Sequence, residues 1–125
     1  MLIEIDFNSD EAIYIQLYNQ IVMAIATCGL EKGEELPSVR RMAEDIGVNM
    51  HTVNKAYAVL RQDGFIRLDR RKGAVVETDP DRERAKEEMR DQMKFIVAKG
   101  ICKGVTMDEA GEILREIYAQ YEGDD

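Results

Sequence analysis

Along most of this chain apolar residues recur at the three- and four-residue intervals of a helix face, and two short stretches rich in strand-forming residues depart from that rule. The first is Leu2–Ile5, LIEI, which reads as a short strand. Ser9 then stands where it can cap a helix starting near Glu11. Tyr14, Leu17, Tyr18, Ile21 and Ile25 line one face of that helix, and Gly29 marks its end. The loop GLEKGEELPS, with two glycines and Pro37, closes on Ser38. The Ser38 hydroxyl can take an orphan amide of a second helix, whose inner side is Val39, Met42, Ala43 and Ile46 and which stops at Gly47. Asn49 caps a third helix.

At about 100° per residue, Val53, Ala56, Tyr57 and Leu60 of the third helix fall in one arc and must face a core. His51, Lys55, Ala58 and Gln62 point the other way, with Asn54 at the flank. Two short helices separated only by GVN meet the requirements of a helix-turn-helix, in which the first helix packs and the second lies across it with its N-terminal half free. The second strand-rich stretch follows Gly64: FIRL and AVVET joined by DRRKG, a hairpin with a cationic tip. A helix-turn-helix with such a hairpin directly behind it is a winged helix. The fold class expected is therefore mainly α with a small β hairpin, the winged helix-turn-helix occupying residues 1–78.

Residues 79–125 predict two more helices. Asp79 and Pro80 form a cap-then-first-turn start, and Met89, Met93, Ile96 and Val97 make a stripe on a helix running to about Lys99, where GICKG breaks it. Thr106 and Glu109 are spaced as a capping box. Behind them Met107, Ala110, Ile113 or Leu114, Ile117 and Tyr121 give a second stripe. Two helices of this length cannot enclose a sizeable ligand cavity, so another copy of the chain is the simplest cover for both stripes. The methionines also suit an adaptable ligand face, but a dimer core is the expected role.

Charge changes the picture. The net charge is −8, yet residues 38–73 hold eight basic residues against four acidic, a net of +4, while the rest of the chain holds nine against twenty-one, a net of −12. Because fields are local on the scale of about 8 Å, a basic middle between acidic ends fits an anion-binding module. One histidine and two distant cysteines, Cys28 and Cys102, are too few for a zinc site and read as reduced thiols. The opening residues contain no basic-then-apolar stretch and no apolar run reaches the roughly 20 residues of a membrane span, so a soluble, cytoplasmic protein is expected. A lone histidine with no nucleophile pair and no glycine-rich phosphate loop argues against an enzyme, and no cofactor is expected.

The stretch LPSVRRMAEDIGVNMHTVNKAYAVLRQDGFIRLDRRKGAVV resembles the DNA-binding domain of the GntR family of bacterial transcription regulators, and AIYIQLYNQIVMAIATCGLEKGEEL resembles that family's first helix and loop. The tail is similar to the annex of the YtrA-like subfamily, which dimerises in place of a large effector domain. The resemblance implies a dimeric repressor of a nearby operon, often one for a transporter, that binds double-stranded DNA at a palindromic operator; a small-molecule effector is left open but not indicated. It implies DNA contact by Arg40, the arginine after Leu-Pro-Ser; a surface pair with Glu44 is the alternative. Asn49, Met50, His51 and Thr52 fall in the turn and first turn of the recognition helix, Thr52 suited to a phosphate. Met50 and Asn54 replace arginines that read guanine in better known members. Asn54 can instead read adenine, and Met50 can touch a thymine methyl or simply pack. Ser38, Lys55 and the wing residues Arg71, Lys72 and Gly73 complete the expected set, Gly73 as a close-approach or turn glycine. The expected dimer interface is Met89, Met93, Ile96, Val97, Met107, Ile113, Leu114 and Ile117. A winged helix serving only as a protein-interaction adaptor is the competing class.

Overall fold

A computed structural model of the chain describes residues 2–78 and 80–122. Its contacts fall into two compact units, Met1–Asp79 and Pro80–Asp125. The first unit is built from α1 (Ile13–Ala26), α2 (Val39–Ile46), α3 (Met50–Gln62), β1 (Ile66–Asp69) and β2 (Gly73–Val76). Its core joins Leu17 and Ile21 of α1, Met42 and Ala43 of α2, Val53, Ala56, Tyr57 and Leu60 of α3, and Ile66, Ala74 and Val76 of the hairpin. The apolar arc expected on α3 is buried in full.

The caps around α2 and α3 form as their sequence signals require. Ser38 Oγ accepts the Arg41 N–H at 3.1 Å, and Asn49 Oδ1 accepts the His51 N–H at 2.7 Å. Gly47 ends α2 in the left-handed region, at φ 73°, where a side chain would be strained. Tyr57 ties the two helices to the preceding loop: its buried hydroxyl donates to the Pro37 carbonyl at 2.8 Å. The hairpin is antiparallel, with Ile66 opposite Val76 and Asp69 opposite Gly73. The loop before α2 extends it, because Gly33 donates to Val76 and Leu36 to Ala74 at 2.7 and 2.9 Å.

The N-terminus differs from the sequence reading. Residues 2–6 form no strand; side chains of α1 satisfy the backbone of residues 4 and 6 instead. Gln20 accepts the Glu4 N–H and donates to the Glu4 carbonyl, at 2.9 and 2.6 Å, and Gln16 does the same for Asp6 at 2.9 and 3.0 Å. A glutamine amide carries a peptide's donor and acceptor, so two of them one helical turn apart replace a neighbouring strand. Ile3 and Ile5, which alternate with residues 4 and 6, pack on the core. Ser9 does not cap α1 either: its Oγ accepts the Glu11 N–H, and the helix starts at Ile13 behind Ala12 with no side-chain cap. At the far end α1 stops at Ala26, and the left-handed residue is Cys28, at φ 63°, rather than Gly29.

The second unit contains α4 (Arg82–Cys102) and α5 (Met107–Tyr121). The N-cap of α4 is Asp81, whose carboxylate accepts the Arg84 N–H at 3.2 Å. Pro80 thus precedes the cap instead of occupying the first helical position, and Asp79 lies outside the described residues. The helix also runs past Lys99. Gly100 stays helical and accepts the Val105 N–H at 2.9 Å, while Gly104, at φ 86°, makes the reversal. A methyl group on Gly100 would lie 3.6 Å from Val105 Cβ, an ordinary van der Waals contact, so this position does not itself require glycine. The capping box of Thr106 and Glu109 forms at 2.9 and 3.2 Å. Neither helix buries a single residue.

Replacing Tyr57 by Phe leaves the Pro37 carbonyl without its donor and should destabilise the first unit by about 1 kcal/mol in denaturant unfolding. Burial raises the Tyr57 phenol's pKa above its ordinary value. The folded state therefore keeps this proton when the unfolded state loses it. The stabilisation is complete below the unfolded value of about 10 and is lost as pH rises above it. Wild type should lose stability above that pH more steeply than Tyr57→Phe.

Candidate nucleic-acid interface

Burying one face of α3 sets the direction of everything on the other. His51, Asn54, Lys55, Ala58 and Gln62 are exposed, Thr52 is half-buried, and Met50 is 45% exposed. Asn49 spends its amide oxygen on the cap, which leaves its NH2 group free to donate outward. Ser38 likewise uses its oxygen as an acceptor and retains its O–H proton.

Cations on this surface divide by whether a carboxylate holds them. Arg41 pairs with Asp45 at 3.5 Å, and Arg67 lies 2.8 Å from Glu77 and 3.3 Å from Asp69. Arg40 forms no ion pair among the described residues; the i, i+4 bridge on α2 is made by its neighbour. At the hairpin tip Arg70, Arg71 and Lys72 are exposed and also lack ion pairs among the described residues. Lys55 has a different partner, the ring of Tyr14, whose centroid is 4.1 Å from Nζ.

The tip itself is shaped by a residue outside the expected set. Asp69 Oδ1 accepts the backbone N–H groups of Arg71 at 2.8 Å and Lys72 at 3.0 Å. These two bonds, aided by the Arg67 guanidinium, hold its carboxyl below the usual carboxylate range. Gly73 then turns the chain at φ 81°, and no atom lies within 4 Å of where its side chain would begin. Its backbone conformation, with open space above it, is what calls for glycine in the free protein. Asp69 was legible as a turn-former four residues before a glycine. Tyr14 carried no such signal, because its contact with Lys55 spans two helices.

A helix-turn-helix whose second helix turns a polar, cationic face outward, flanked by a hairpin with an exposed basic tip, defines a winged-helix DNA-binding protein. Residues 13–76 match the family described as bacterial regulatory proteins, gntR family. The chain belongs to that family and is a DNA-binding transcription regulator, not an enzyme. Similarity extends beyond the matched segment. The HTH-type transcriptional repressor YtrA of Bacillus subtilis (strain 168) is 30% identical over 125 residues, spanning 98% of this chain and 96% of that protein. YtrA from Sulfolobus acidocaldarius, a GntR-family transcription factor, is 35% identical, with a TM-score of 0.68 over 82% of this chain and 99% of its own. The crystal structure of a transcriptional antiterminator from Listeria monocytogenes EGD-e reaches a TM-score of 0.85 at 27% identity, covering 100% of this chain and 96% of that one.

Removing the Asp69 carboxylate with Asp69→Ala should free the wing tip while leaving the core intact. The Arg71 and Lys72 amide resonances should then lose their downfield shifts with little change in thermal midpoint. In the wild type the same bonds hold above the unfolded Asp value of about 4 and weaken as pH falls through the lower folded value.

Proposed function

We propose that this chain is a cytoplasmic dimeric repressor that binds a palindromic operator, residues 1–78 reading the DNA and residues 79–125 joining two copies. The observation that carries this reading is the second unit. On α4 and α5 Met89, Met93, Ile96, Val97, Met107, Ile113, Leu114 and Ile117 are all at least 37% exposed. These residues line an open apolar trough of about 810 Å³ between the two helices. Helices with no buried residue gain nothing from packing until something fills that trough, and its lining is apolar along almost its whole length, as an oligomer core requires. The polar side of α4 is occupied by exposed pairs, Arg84–Glu88, Lys86–Glu83 and Arg90–Glu87, as on a solvated outer face. No helix of the described residues is long and apolar enough to cross a membrane, so lipid does not supply the cover by a span.

In this reading Ser38, Arg40, Thr52, Lys55, Arg71 and Lys72 meet phosphates. Asn49, Met50, His51 and Asn54 stand toward the base edges, and Gly73 lets the wing approach the backbone. One module alone should bind only in the non-specific range of roughly 10⁻⁴ to 10⁻⁶ M. Two joined symmetrically make the second contact intramolecular at an effective concentration of about millimolar, and a two-fold protein requires inverted half-sites. A repressor named for a relative of matching length supports the sign of regulation.

Arg40→Ala should weaken binding to every sequence, whereas Asn54→Ala should cost about 1–3 kcal/mol chiefly at one base pair per half-site. Equal losses at all positions would rule out base reading by Asn54. The chain cut after Thr78 should fold, sediment as a monomer and keep only weak, salt-sensitive DNA binding. Ile113→Asp should do the same by placing an unpaired charge in the interface. Operator binding by the shortened chain as tight as that of the full chain would refute the dimer.

A further inference from the structure

Among the cations of the basic segment, Lys55 is held in a way that no other is. Arg41 and Arg67 are fixed by carboxylates, which order their side chains but cancel their charge. Arg40, Arg61, Arg70, Arg71 and Lys72 keep their charge but form no ion pair among the described residues. Lys55 lies with Nζ 4.1 Å from the centroid of the Tyr14 ring. A ring face attracts an ammonium without neutralising it and takes up only one side of it, so the donors on the far side and a full charge stay available to a second ligand.

The ring stands on a firm base. Tyr14 belongs to α1, where Leu17 and Ile21 are wholly buried against α3. One turn further on, Tyr18 donates to Asp63 Oδ2 at 2.6 Å and meets the Phe65 ring edge-on, with centroids 6.2 Å apart. Asp63 is the C-cap of α3. Two tyrosines four residues apart on α1 thus hold α3 at both its middle and its end. Lys55 is exposed on the outward side of α3, beside Asn54 and His51.

We propose that Tyr14 is a positioning residue for DNA recognition, its ring holding the Lys55 ammonium at the edge of α3 to receive a backbone phosphate. Such a contact is independent of base sequence and fixes how far α3 rotates in the groove, so the base-reading side chains meet the same edges each time. A lysine ordered before binding does not lose its side-chain freedom on contact. The inference rests on the DNA-binding reading of α3.

A sequence-independent contact can be tested with a short random-sequence duplex and the full-length protein. Tyr14→Leu keeps apolar bulk but removes the ring face, and should weaken binding about three- to tenfold at low salt, while Tyr14→Phe should stay within about twofold of wild type. With Lys55→Met already in place, Tyr14→Leu should have no further effect. In the unaltered free protein the Lys55 ε-methylene protons should be shifted upfield by the ring, a reading that does not depend on any variant folding. An equal loss from Tyr14→Leu with and without Lys55, tighter binding by Tyr14→Leu, or unshifted ε-protons each overturn the proposal. Absence of any duplex binding by the wild type at low salt overturns the DNA-binding reading itself. Duplex binding with Tyr14 and Lys55 uncoupled overturns this inference alone.

Discussion

Everything on the outward side of α3 follows from one burial constraint on that helix. Val53, Ala56, Tyr57 and Leu60 are inside the core, three of them with almost no exposure, and a helix cannot turn about its axis without lifting all four out. Burial of side chains this size is worth about 1.5–3 kcal/mol for each large one, more than any single surface contact can supply. Since the backbone advances about 100° per residue, fixing that arc also fixes where His51, Asn54 and Lys55 point. Core packing is thus the device that aims the surface chemistry.

An acidic protein can offer such a surface to an anion because its charge is not spread evenly. Residues 38–73 are net positive within a chain of net charge −8. Arg40 and the tip residues Arg70, Arg71 and Lys72 remain unpaired with carboxylates among the described residues, so their charge is available to phosphate. Asp69, although acidic, does not pair with the tip cations: it gives its charge to two backbone N–H groups and in doing so holds the tip in shape. The negative majority lies elsewhere in the sequence and limits indiscriminate attraction to polyanions.

The helix-turn-helix and its hairpin were legible because their signals are local. Ser38, Gly47 and Asn49 each act on backbone groups within a few residues, and the apolar period of α3 needs no knowledge of its neighbours. What escaped the sequence is non-local. Gln16 and Gln20 stand in for a strand beside residues 4 and 6, which no propensity registers, since glutamine is an ordinary helix residue. The contact of Lys55 with Tyr14 likewise joins positions far apart in the chain. Helix ends were misplaced where a glycine proved not to be the terminator: Cys28 takes the left-handed position beside Gly29, and Gly100 remains helical because the reversal falls at Gly104.

The second unit is an amphipathic pair whose apolar side is uncovered within one chain, and the first unit offers one recognition helix. In the proposed dimer a symmetric pair of chains would answer both facts, with phosphate contact by each copy giving the assembly its affinity. Counting the phosphates is the most direct test. The account predicts that the logarithm of the affinity of the full chain for its own upstream DNA falls linearly with the logarithm of salt, at about −0.9 per phosphate neutralised, with a slope of several phosphates that is roughly halved in the monomeric first unit. Affinity that does not change with salt, or a slope that is the same for both, would contradict it.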